Sequence, residues 1–124
     1  MGLQTTVARV TTAALAACAL TVSGAAHAEM SGTEYLAQQG DSAAVGKFAL
    51  AQMENGMAWA NADLKNRNVP SLYCVPGSVV IAADQPDTVL RAYLQRHPDL
   101  ARYPVGAILL KAMEDAYPCA PTPG

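Results

Sequence analysis

Ser71–Cys119, SLYCVPGSVVIAADQPDTVLRAYLQRHPDLARYPVGAILLKAMEDAYPC, carries a cysteine near each end, and its pattern decides the fold. Cys74 is followed at once by Val75-Pro76-Gly77, a turn, and Cys119 follows Pro118 directly. Between them lie two amphipathic runs separated by Arg96-His97-Pro98. Asp84 suits an N-cap, Pro86 a first helical turn, and Asp87 complements the helix dipole. That helix places Val89, Leu90, Tyr93 and Leu94 on one face, with Arg91, Gln95 and Arg96 outside, and Pro98 ends it. After a short connection, Pro104 opens a last helix. Its buried side is expected to hold Val105, Ile108, Leu109, Ala112, Met113 and Ala116, leaving Lys111, Glu114 and Asp115 to solvent. If the thiols pair, this half of the chain is a covalently closed helical hairpin. The apolar run Ser78–Ala83 is too short for periodicity to separate helix, strand and loop; a loop entering the helix at Asp84 is favoured.

Toward the N-terminus, Asp41 or Ser42 is expected to cap a long helix reaching about Leu64. Val45, Phe48, Ala49, Met53, Met57 and Ala60 recur on it at three- and four-residue steps, as one buried face requires. Gly56 is expected to permit close approach by another backbone, since a mid-helix glycine costs roughly 1 kcal/mol against alanine. Trp59, the sole tryptophan, reads first as a core filler and second as a binding anchor. Thr33 is the expected cap of a short helix, Glu34–Gln39, that stops at Gly40. Asp63–Tyr73, rich in turn formers, reads equally as a solvated loop and as a projecting loop that meets a partner. The whole predicts an all-α, small single-domain bundle of about four helices with one disulfide.

The first 28 residues are excluded from that domain. Val10–Val22 is apolar but too short to span a bilayer at roughly 20 residues per crossing. It leads to Ala26-His27-Ala28, an A-x-A site, so residues 1–28 read as a secretory signal cleaved between Ala28 and Glu29. Leu15-Ala16-Ala17-Cys18 also reads as a lipoprotein signal with Cys18 lipidated. The short apolar run before it and the apolar residues after it argue against that. Removing 28 of 124 residues leaves 96, Glu29–Gly124, with an ordered part expected at about 31–119. Losing Arg9 moves the formal charge from −2 to −3, which leaves no basic patch for nucleic acid and no polybasic anchor. Of three cysteines two remain, an even number in an oxidising, periplasmic compartment. A Cys74–Cys119 bond closes a loop of about 46 residues, worth about 4 kcal/mol in the chain-entropy model.

Catalytic chemistry is not legible. His97, the only histidine after Ala28, has no Ser, Cys or carboxylate at a meaningful spacing, and it reads as a cap on a helix C-terminus. One histidine and two bonded cysteines leave no metal site, and no cofactor motif occurs. Asp87, Asp99, Glu114 and Asp115 read as scattered acids on solvent faces. An enzyme is not expected.

Tyr73-Cys74-Val75-Pro76-Gly77, then Tyr93-Leu94-Gln95-Arg96-His97-Pro98, then Ala112–Cys119 resembles the Rap/Tai family of type VI secretion immunity proteins. Ala49–Asn61 is similar to that family's glycine-containing second helix, and Thr33–Leu36 to its opening helix. The second cysteine pair common in the family is absent around Gln38–Gln39 and Phe48–Ala51. The resemblance implies an all-helical periplasmic protein that sterically inhibits a peptidoglycan amidase toxin without chemistry of its own. The partner-binding residues expected on the Asp63–Tyr73 loop and beside it are Trp59, Asn66, Arg67 and Tyr73. Two other classes stay open: an HdeA-like periplasmic acid-stress chaperone, and an envelope-associated structural protein with no toxin. Oligomeric state stays open too, a homodimer included.

Overall fold

A computed structural model of the chain describes residues 29–121. The signal-peptide expectations, with Cys18 and Ala28, lie outside those residues. Four α-helices follow one another: α1 (Gly32–Ala37), α2 (Gly40–Asn66), α3 (Gln85–Arg96) and α4 (Val105–Ala116). A 3₁₀ turn, Pro98–Arg102, joins the last two. No strand occurs among the described residues, so the architecture is the expected all-α bundle.

The α3–α4 hairpin is the centre of the molecule. It supplies eight of the eleven buried apolar side chains: Val89, Leu90, Leu94, Val105, Ile108, Leu109, Ala112 and Met113. At about 1.5–3 kcal/mol for each large side chain taken from water, this seam dominates the apolar stabilisation. Tyr35, Leu50 and Tyr73 complete the core from α1, α2 and the 67–84 connection. The disulfide closes the hairpin as expected, with Cα atoms of Cys74 and Cys119 4.8 Å apart. The Cys74 N–H donates to the Tyr117 carbonyl beside it (2.8 Å). Ala116 is exposed, one departure from the expected α4 face.

The helix ends differ from expectation in informative ways. Ser31, not Thr33, caps α1: its hydroxyl accepts from the Glu34 N–H (3.2 Å), while the Glu34 carboxylate accepts from the Ser31 N–H (2.7 Å). That is a capping box, and the backbone hydrogen bond holds the Glu34 carboxyl below its ordinary range. Asp84 is the N-cap residue of α3 but makes no side-chain capping bond, and neither Asp41 nor Ser42 caps α2. Helix α2 starts at Gly40, whose φ of +54° suits glycine. His97 is the C-cap of α3, its N–H donating to the Tyr93 carbonyl and its ring lying 4.6 Å from the Tyr93 ring.

The N-terminal end is stitched to the start of α4. The Gly32 N–H donates to the Tyr103 carbonyl, and the Val105 N–H to the Met30 carbonyl. Pro104, the N-cap of α4, has no capping side chain. The Glu29 carboxylate supplies one from outside, accepting from the Gly106 N–H at 2.8 Å.

The face of α2 is the largest correction. Val45 and Phe48, expected inside, are 68% and 66% exposed, and the buried positions are Gly46 and Leu50, flanked by half-buried Met53, Met57, Asn61 and Leu64. Of the six positions expected inside, Met53 and Met57 pack against the core, whereas Val45, Phe48, Ala49 and Ala60 are exposed. Gly56 meets no backbone either: a Cβ built there has nothing within 4 Å. Close approach occurs instead at Gly32, where a Cβ would stand 2.7 Å from Ile108 Cδ1 and 3.0 Å from the Ala101 carbonyl oxygen.

Asp87 is not a solvent-facing acid. It is 7% exposed and gathers three helices: the Tyr35 hydroxyl donates to it at 2.7 Å, Arg91 Nε donates at 2.7 Å, and Lys47 Nζ lies 3.4 Å away. Burial opposes its ionisation, but the hydrogen bonds from Tyr35 and Arg91 and the charges of Arg91 and Lys47 outweigh it and hold the carboxyl below its ordinary range.

Candidate protein-binding site

The C-terminal third of α2 and the chain returning from it are mostly exposed. Helix α2 runs two residues beyond expectation, so Asn66 is its last residue and Arg67 its C-cap. Asn68 follows with φ +56°, the left-handed conformation that asparagine tolerates after a helix. The Asn68 N–H reaches the Lys65 carbonyl and the Val69 N–H the Leu64 carbonyl, the paired bonds of a Schellman ending. Asparagine at 68 was the sequence signal for this boundary.

The returning chain is then clamped. Asn61 accepts the Leu72 N–H at its Oδ1 (2.7 Å) and donates from Nδ2 to the Tyr73 carbonyl (3.1 Å). The Tyr73 hydroxyl donates to Glu54 at 3.0 Å, and burial together with that carboxylate pushes the phenol pKa up. Sequence reasoning missed both Asn61 and Glu54. An asparagine inside a helix, where it is a poor former, was the available hint.

The four expected binding residues therefore separate. Trp59 is 72% exposed, and so is not the core filler that was the first expectation for it. Asn66 and Arg67 are exposed, and Arg67 forms a 3.0 Å ion pair with Asp63 in which both side chains are mostly solvated. Such a pair is worth about 1 kcal/mol or less, so Arg67 can exchange partners cheaply. Tyr73 is 3% exposed and belongs to the core. It fixes the connection from behind, and the expectation of a free side chain there is corrected.

Trp59 shares a helix face with Val45, Phe48 and Asn66, spaced as an α-helix spaces one side, so an apolar stripe runs along the outside of α2. On its flank, between α2 and the returning chain, lies an open groove of about 600 Å³. Glu54, Ala58, Ala62 and Lys65 line its helix wall, with Val75 and Ile81 opposite. Further along the connection Val80 is 90% exposed. Among the described residues no group of three His, Cys, Asp or Glu could hold a metal ion, and no helix is long and apolar enough to cross a membrane. The exposed apolar side chains and the groove are features suited to binding another protein.

Among families of known proteins, the profile described as Rap1a immunity proteins matches residues 11–119. No curated protein and no solved structure matches the chain.

Proposed function

The chain belongs to the Rap1a immunity protein family, and on that premise we propose that it protects the cell against a peptidoglycan amidase delivered by type VI secretion. Membership makes it an immunity protein, and immunity implies a toxin as protein partner. The finer assignment is that residues 1–28 direct export, that the protein acts in the periplasm, and that it inhibits by covering the amidase's active site. It makes and breaks no bonds itself.

The observation that carries the surface is Trp59. A lone tryptophan left 72% exposed on the outer face of α2 is an interface anchor in waiting, because tryptophan and arginine dominate the energetic centres of interfaces. Asn66 and Arg67 stand beside it on the helix end, with their backbone already fixed by the Schellman ending. Little ordering entropy is left to lose there on binding. Tyr73 supports the surface without touching the toxin.

The test uses an amidase encoded beside this gene. Trp59→Ala and Asn66→Ala/Arg67→Ala should each weaken its binding at least tenfold and remove protection of cells making the periplasmic toxin. Thermal midpoints should stay within a degree or two. Unchanged binding in both variants sinks the surface assignment, and cells dying equally with and without the protein sink the amidase assignment.

The Asp87 cluster favours one second reading. A carboxylate joining three helices is a place where acid opens the bundle, as an HdeA-like chaperone requires. That reading expects the purified protein to suppress aggregation of unrelated clients at about pH 2, with no toxin present.

A further inference from the structure

We infer that the groove between α2 and the 71–75 segment is the seat of an extended peptide segment of the partner, about six residues long, with opposite charges at its two ends. This rests on the immunity assignment for the identity of the partner, but not for the chemistry of the site.

Three observations carry it. The helix wall is built on Ala58 and Ala62, which are one turn apart and too small to fill the space, while the large apolar residues Phe48 and Trp59 point elsewhere. The groove is thus left open at about 600 Å³, within the range of about 300–1,000 Å³ typical of ligand sites. Its charged groups stand toward the two ends: Glu54 and Lys65 lie eleven positions apart on α2, roughly 16 Å at 1.5 Å per residue. Neither forms an ion pair among the described residues, and Glu54 accepts only the Tyr73 hydroxyl. A carboxylate at one end, an ammonium at the other and apolar walls between call for a ligand of complementary charge order. An extended chain rising about 3.3 Å per residue covers that span in about five steps, from the first of about six residues to the last. A basic side chain meets Glu54, an acidic one meets Lys65, and the residues between pack on Ala58, Ala62, Val75 and Ile81.

The groove also continues the proposed toxin-binding surface. Ala62 is three residues after Trp59 and four before Asn66, so all three are neighbours on the helix surface. A protein anchored on Trp59 can lay a strand or tail into the groove without shifting its footing.

The test is independent of any toxin. A random-peptide phage library is panned on the purified mature chain, and enriched peptides are made synthetically for titration. The expected result is enrichment of sequences with a basic and an acidic residue about five positions apart flanking small or β-branched ones. Such peptides should bind at least tenfold more weakly to Lys65→Glu and to the groove-filled Ala58→Arg/Ala62→Arg variant. Glu54→Gln, which keeps an acceptor for Tyr73, should lose selectivity for the basic end. Failure to enrich any peptide, binding unchanged by the groove-filling variant, or a dimer that this variant dissolves each overturns the proposal. A peptide result with no effect of the protein on amidase toxicity would keep the site and remove only the amidase assignment.

Discussion

The Tyr35 hydroxyl sits 2.7 Å from an Asp87 carboxylate oxygen, tying the short first helix to the third across the core. The same carboxylate oxygen accepts from Arg91, whose guanidinium lies 5.5 Å from the Tyr35 ring centroid. A six-residue helix has almost no stability of its own, so α1 depends on this attachment. Tyr35→Phe removes one hydrogen bond to a charged acceptor and should cost about 1–2 kcal/mol. Asp87→Ala should cost about 2–3 kcal/mol, less than a fully buried pair would, because Arg91 and Lys47 are partly solvated. Urea unfolding of the two variants measures both.

Asp87 also predicts the response to acid. Its folded-state pKa is depressed, so protons bind the unfolded chain first as pH drops. The stabilisation it gives is complete above the ordinary carboxyl value near 4 and is lost as pH falls through the lower folded value. The thermal midpoint should therefore be flat from about pH 7 to 5 and fall below about pH 4. Asp87→Asn should start lower and fall less steeply; parallel curves for the two proteins would assign the acid sensitivity to other carboxyls.

Loss of the disulfide acts mainly on the unfolded chain. With Cys74 and Cys119 separated by 45 in sequence, the Cys74→Ser/Cys119→Ser variant should lose about 2–5 kcal/mol. Reduction of the native protein should lower its stability comparably. Both are read from denaturant midpoints with and without reductant.

Two glycines should respond in opposite directions. Gly56→Ala adds a Cβ in open space on a helix and should stabilise by about 0.5–1 kcal/mol. Gly32→Ala drives a Cβ against Ile108 and the Ala101 backbone and should destabilise by about 1–3 kcal/mol. Equal shifts in thermal midpoint for the two would contradict the packing described for α1.

The C-terminal half was legible because its apolar periods were clean and its boundaries carried proline and a cysteine. Val89, Leu90 and Leu94 pack against Ile108, Leu109, Ala112 and Met113 much as their spacing implied. Helix α2 is only half legible because alanine and glycine outnumber its large side chains: Met53 and Met57 turn to the core as their spacing implies, but Val45 and Phe48 face outward. A long helix with one buried face and one exposed apolar face gives two competing periods, and size alone does not choose between them. Asp87 was misread for a different reason. A carboxylate in a first helical turn has a sufficient local explanation in the dipole, and its true partners, Tyr35 and Lys47, come from helices distant in sequence. At the candidate site, the exposure of Asn66 and Arg67 is readable from their polarity, whereas Trp59 reads first as a core filler because nothing in its neighbours shows which face of α2 is buried. The burial of Tyr73 is not readable, because it follows from Asn61 and Glu54 holding the returning chain against α2.

The Cys74–Cys119 bond gives the chain the topology of a ring with an arm. Residues 74–119, with α3, the 3₁₀ turn and α4, form the ring, and α1 and α2 form the arm that enters it at Cys74. A protease cutting the exposed Val79–Val80 segment opens the ring without freeing a fragment, since both ends remain joined through sulfur. A cut between Arg67 and Tyr73 severs the arm, which is then held by packing, by the contacts of Asn61, Glu54 and Asp87, and by the hydrogen bonds that join residues 29–32 to the start of α4. A single cleavage of the exposed apolar connection after Cys74 therefore leaves every helix attached.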